Sequence, residues 1–224
     1  MYGATIKLAV LMNLFTQAFN YAAEPFFFRH SKEKGSREMY GQVGLLFTLV
    51  GSIAFLGIML YIDIIQLLLG KDFRSGLDVV PILLIANLLL GIYYNFSIWF
   101  KLADKTIWGA YISTGGALIT ILINVVLIQR FGYIASAWAT FCCYAFMVIT
   151  CYLSGRRFYP IPYPIGRMIR IIAIAVGFYW LSNGGRVWIG NSLEIILSIN
   201  TLLFLSFLGV VYLLEGKAIR AAIK

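Results

Sequence analysis

The chain has 224 residues, of which 61% are hydrophobic and only 12% charged, with a net charge of +9 and a mean hydropathy of +0.88. Soluble domains carry about 25% charged residues, so this chain lacks the polar material to cover a globule in water. That excludes a soluble enzyme, a secreted disulfide scaffold and a disordered regulator, and leaves a lipid bilayer as the solvent for most of the exterior.

In chain order, seven apolar stretches approach the length of a bilayer crossing, about 20 residues each. They run from Thr5 to Phe28, Gly41 to Tyr61, Val79 to Phe100, Thr106 to Ile128, Phe131 to Leu153, Met168 to Ser182 and Leu193 to Leu214. The sixth is the shortest. Ile62 to Phe73 is expected as an interfacial helix continuing the second span, and Asp78 with Pro81 as a helix start, since proline fits a first turn and Asp accepts from unpaired backbone N–H groups. Cys142, Cys143 and Cys151 share one apolar stretch without a CxxC pair or a nearby His, so they are expected as small packing residues. Pro25 is expected to bend the first span.

The basic residues fall unevenly between alternate breaks. Arg29, Lys32, Lys34, Arg37, Lys101, Lys105, Arg156, Arg157, Arg167, Arg170, Lys217, Arg220 and Lys224 lie on one side, against Lys7, Lys71, Arg74, Arg130 and Arg186 on the other. Cytoplasmic loops carry the excess, which predicts a multi-pass protein with a cytoplasmic C-terminus and an outer-face N-terminus. This placement absorbs the positive charge, and no nucleic-acid partner is expected. An outer-face start so close to the first span suggests a chain that begins within a longer membrane protein.

Polar residues inside spans are costly unless they face protein or water. Asn13, Gln17, Asn20 and Glu24 recur at helical spacing and form a stripe on the first span, with Lys7 off its line near a membrane end. Both a water-filled cavity and a structural seam fit this stripe, and Glu24 has Arg29 and His30 as neighbours for an ion pair. The third span carries Asn87, Tyr94 and Lys101 on one face. The fourth has Gly109, Ser113, Gly116, Thr120 and Asn124, and the fifth Gly132, Ala135, Ala139 and Cys142, small-residue faces that ordinary helix packing explains. The last two spans lack stripes apart from Glu194 and Asn200 and are expected to face lipid. His30 is expected in solvent and Asp63 at the interface.

No catalytic motif is present: there is no GxSxG, HExxH, P-loop or GxGxxG, and one His in total. No catalytic residue, metal site or cofactor is expected, and the pattern favours transport by alternating conformations over covalent chemistry.

Glu24-Pro25-Phe26-Phe27-Phe28, Leu67-Leu68-Leu69-Gly70-Lys71-Asp72-Phe73 leading to Val80-Pro81-Ile82-Leu83-Leu84, the Tyr93 to Lys101 run, Phe131-Gly132-Tyr133-Ile134-Ala135-Ser136-Ala137-Trp138-Ala139-Thr140, and Arg156-Arg157-Phe158-Tyr159-Pro160 occur in that order. In this order and spacing the chain resembles the C-terminal half of bacterial polysaccharide flippases of the multidrug/oligosaccharidyl-lipid/polysaccharide exporter superfamily. The resemblance implies an all-α membrane helix bundle in which 1–154 is a partial C-terminal lobe of five helices and 155–224 is two appended helices with a cytoplasmic tail. It implies a missing N-terminal lobe as partner, together with membrane lipid, a bacterial inner-membrane location and a polyprenyl-pyrophosphate-linked oligosaccharide as substrate. Under it, Lys7 and Lys101 would attract the pyrophosphate, Asn13, Gln17, Asn20, Asn87 and Tyr94 would contact sugar, and Glu24 would gate or couple an ion. A multidrug or cation antiporter of the same superfamily is the alternative. A polysaccharide polymerase or ligase would require large outer loops, which this chain lacks.

Overall fold

The computed structural model describes residues 2–68, 77–189 and 193–223. Among them are eight helices and no strand: α1 (Tyr2–Arg29), α2 (Ser36–Leu60), α3 (Ile62–Leu68), α4 (Val80–Leu102), α5 (Ile107–Phe131), α6 (Tyr133–Phe158), α7 (Ile165–Ile189) and α8 (Leu193–Ile223). Six of them, α2, α4, α5, α6, α7 and α8, are long and apolar enough to cross a membrane. The protein is an all-α polytopic helix bundle.

The expected first span, Thr5 to Phe28, lies within α1 but does not reach the hydropathy of the other six over its described residues. The cause is compositional: Asn13, Gln17, Asn20 and Glu24 occupy positions that α2 or α8 give to Leu, Ile or Val. The helix continues through Pro25 to Arg29. The short sixth stretch becomes the 25-residue α7, and the break after α2 falls at Tyr61, with α3 resuming at once. Leu69 to Phe73, including Lys71, lie outside the described residues, as does Arg74. Pro81 occupies the first turn of α4 as expected, but the cap is Val79, with no side-chain cap hydrogen bond, so Asp78 does not play the capping role.

A single residue, Gly132, joins α5 to α6. It has φ +55° and ψ −132°, a combination that only glycine adopts without strain. Its N–H donates to the Ile128 carbonyl, and its own carbonyl accepts from the Ala135 N–H. Phe131 therefore ends α5 instead of opening α6.

α2 and α4 form the centre, with 61% and 56% of their spans buried against 11% of α5. α4 packs on α6, α1 and α2; α7 and α8 pack on α2 and on each other; α5 packs chiefly on α6. In lipid there is little hydrophobic gain from bringing apolar helices together, so close van der Waals fit must supply cohesion. Small residues provide it: Gly91 lets the Phe47 ring and Thr16 approach α4, and Gly116 sits against Cys143 and Met147. Ala135, Ala139, Cys143 and Cys151 are buried, whereas Cys142 is only half-buried, so the packing face of α6 runs beside the expected position rather than through it. The outer face of α5, with Tyr111, Leu118, Leu122 and Val125, is exposed apolar surface.

The last two helices are joined to α2 by a polar knot with Asn200 and Ser182 buried at its centre. Asn200 donates to the Leu60 carbonyl (2.6 Å) and accepts from the Ser182 hydroxyl (2.8 Å), while the Tyr61 and Thr201 hydroxyls bond at 3.0 Å. Leu60 ends α2, and the knot satisfies one of the terminal carbonyls that a helix leaves unpaired. Glu194, by contrast, is exposed.

Candidate functional site

The buried line of α1 is Met12, Thr16, Ala23 and Phe27, with Phe19 partly buried between them. Each stripe residue follows one member of that line by one position, Asn13 after Met12, Gln17 after Thr16, Asn20 after Phe19 and Glu24 after Ala23. One residue is about 100° around a helix, so the stripe turns onto the flank. Gln17 is exposed and Asn13, Asn20 and Glu24 are half-buried. The described helices do not enclose the stripe, because packing against α4 and α2 claims the apolar line beside it.

Within the flank, Gln17 donates to the Asn13 side-chain oxygen at 3.3 Å. Thr16, which sequence reasoning passed over, donates to the backbone carbonyl of Asn87 at 3.4 Å, while the Asn87 amide donates to the Leu83 carbonyl of its own helix at 2.8 Å. Tyr94 is half-buried beside Tyr93, their rings 5.9 Å apart. At the end of the flank Lys101 Nζ lies 2.7 Å from Glu24 Oε1. The two residues expected in separate roles, anion attraction and gating, are thus one ion pair tying α1 to α4, and Glu24 is partnered by Lys101 rather than by Arg29 or His30. The Lys7 side chain lies outside the described residues. His30 is not simply solvated: its ring is 4.4 Å from that of Phe26, and Nδ1 is 2.9 Å from the Phe26 carbonyl.

Glu24–Lys101 belongs to the basic end of the bundle, where α1, α4, α6 and α8 finish and α2, α5 and α7 begin. Glu215 of α8 is buried there, taking a short bond from Arg170 and lying 3.7 Å from Arg167 Nε. Sequence reasoning missed this cluster, although an isolated acid closing an apolar helix opposite two arginines was a usable signal. Trp99, buried, donates to the Cys151 carbonyl at 3.2 Å and stacks on Phe158 at 5.7 Å, and Trp108 lies 5.2 Å from Phe158 on the other side of the α4–α5 turn.

The segment joining α6 to α7 carries Pro160, Pro162 and Pro164, which bar regular backbone hydrogen bonding. It is extended and tucked into the bundle end. The Pro162 carbonyl would lie 2.7 Å from a Cβ on Gly41, so only glycine permits this approach. Tyr163 donates to the Asn95 carbonyl at 2.9 Å and packs on Phe96, and burial pushes its hydroxyl well above the ordinary tyrosine value.

At the opposite end a cavity of about 250 Å³ is lined in part by Asp63, Asp78, Tyr179, Ser182 and Asn183. Among the described residues no group of three His, Cys, Asp or Glu side chains stands close enough to hold a metal ion. No family model, no curated protein and no solved structure matches the chain.

Proposed function

We propose that this protein is part of a flippase that carries polyprenyl-pyrophosphate-linked oligosaccharide across the bacterial inner membrane, with its basic end cytoplasmic. The order of the sequence motifs supports this reading, and one structural observation carries it: an amide-rich flank on α1 that leads to the Glu24–Lys101 pair. Such a substrate has three chemically distinct parts. Its sugars need hydrogen-bond partners, its diphosphate needs a cation, and its tail stays in the bilayer. A polar flank open at the side offers the first two without forcing the third out of lipid. Asn13, Gln17 and Asn20 would meet the sugars, with Asn87 and Tyr94 alongside on α4. A diphosphate carries more negative charge than one carboxylate, so it would compete with Glu24 for Lys101.

Surface polysaccharide at matched protein level tests the reading. Lys101→Ala and Gln17→Leu should each reduce export, and undiminished export in the double variant would refute it. The cation-antiporter reading needs Glu24 as an ion-binding carboxylate, and its pairing with Lys101 favours the flippase. If Glu24→Gln abolished cation efflux while polysaccharide export stayed intact, the antiporter reading would replace it.

A further inference from the structure

Four cations at the basic end lie over aromatic rings. Lys105 Nζ is 3.8 Å from the Phe158 ring centroid, and the Arg157 guanidinium is 5.9 Å from the same centroid. Arg37 lies 4.5 Å from Tyr159, and Arg156 5.8 Å from Tyr152. All four side chains are exposed. The ion pairs among the described residues engage Lys101, Arg167 and Arg170 and none of these four, even though Asp104 adjoins Lys105 in sequence.

A ring attracts a cation, but it does not neutralise it. Two positive charges over one phenyl ring repel each other, and exposed lysine and arginine side chains are free to swing apart. Both nonetheless lie against Phe158, whose ring is itself packed between helices by contact with Trp99 and Trp108. The result is two cations without an ion-pair partner among the described residues, beside an aromatic cluster at the level where α4, α5 and α6 leave the membrane. The complementary ligand has a compact anion with several acceptor oxygens, an apolar portion beneath it, and a location at the same depth. Basic pockets between membrane helices at the lipid surface bind anionic head groups on this principle.

We propose that Lys105 and Arg157, seated over Phe158, bind the phosphate of an anionic phospholipid head group. The site is separate from the α1 flank and does not depend on the flippase reading. Arg156 and Arg37, on neighbouring rings, would extend the positive field around it.

The experiment uses the whole chain in mixed micelles of phosphatidylglycerol and phosphatidylcholine at equal concentration, with retained lipid counted by native mass spectrometry. The wild-type protein should retain phosphatidylglycerol preferentially. Lys105→Gln and Arg157→Gln should each lower that preference about fivefold, whereas Arg130→Gln, at the other end of the bundle, should leave it unchanged. Lys105→Arg keeps the charge and should keep the preference, which separates loss of the site from loss of fold. In the wild-type protein, rising sodium chloride should weaken the preference. Equal lipid selection in wild type and the Lys105→Gln/Arg157→Gln variant would overturn the proposal. So would an equal loss in Arg130→Gln, or displacement of the lipid by millimolar inorganic phosphate, which would mark a site for the free anion.

Discussion

Gly91→Ala probes the crossing on which the whole α1 flank depends. The added methyl group would lie 2.0 Å from Phe47 Cζ, 2.6 Å from Phe47 Cε1 and 2.9 Å from Thr16 Cγ2. Carbon atoms rest at about 3.5–4.0 Å, so the ring would have to retreat by roughly 1.5 Å. It has little room: Phe47 is fully buried, stacked on Phe15 at 5.6 Å and tilted against Phe19 at 4.8 Å. Overpacking of this kind costs about 1–3 kcal/mol, and the upper half applies where both neighbours are aromatic. Alanine's better helix propensity returns about 1 kcal/mol. The expected net loss is about 1–2 kcal/mol, read as a lower thermal midpoint and a lower denaturing-detergent midpoint in mild-detergent solution. Phe47→Leu removes both clashing ring atoms, so the double variant should be more stable than the sum of the single effects implies, with a coupling of about 1–2 kcal/mol. Wild-type stability in Gly91→Ala, or strict additivity in the double variant, would refute the argument.

Three further outcomes are expected. In a double-mutant cycle on Glu24 and Lys101, each about one-third exposed, the coupling should be about 1 kcal/mol or less, and the swapped pair Glu24→Lys/Lys101→Glu should recover what Glu24→Lys loses. Glu215→Gln leaves Arg167 and Arg170 without a charged partner, and should cost about 1–2 kcal/mol because both arginines are half-exposed; hydrogen exchange should quicken in the final turns of α8. The hydroxyl of Tyr163 is held neutral in the fold well above its ordinary value. In the unfolded chain it ionises near pH ~10. Its contribution is therefore complete below that pH and is lost as pH rises beyond it, so Tyr163→Phe should flatten the decline in stability above pH ~10 in an alkaline unfolding series.

The spans were legible because an apolar run of bilayer length has few alternatives, and most helix boundaries fall within a few residues of where hydropathy puts them. α7 is longer than expected because Gly166 and Arg167 at one end, and Asn183 and Gly184 at the other, interrupt the hydropathy without interrupting the helix. The stripe on α1 was legible as a periodicity, but its direction was not. Two adjacent faces, one polar and one apolar, share the same spacing, and only the position of α4 decides which is covered. The partner of Glu24 was equally hidden, since local spacing points to Arg29 and His30 while the fold delivers Lys101. The extended segment at Pro160 to Pro164 could be read as non-helical, but its insertion against Gly41 depends on a glycine more than a hundred positions earlier.

The one-residue hinge at Gly132 bears on how the molecule is made. With no slack between them, α5 and α6 can occupy their places in the finished bundle only as a folded-back pair. Because α5 packs chiefly on its twin, most of the contact that holds it in place forms only once α6 has arrived. Lengthening this hinge should therefore disturb biogenesis before it disturbs the finished bundle.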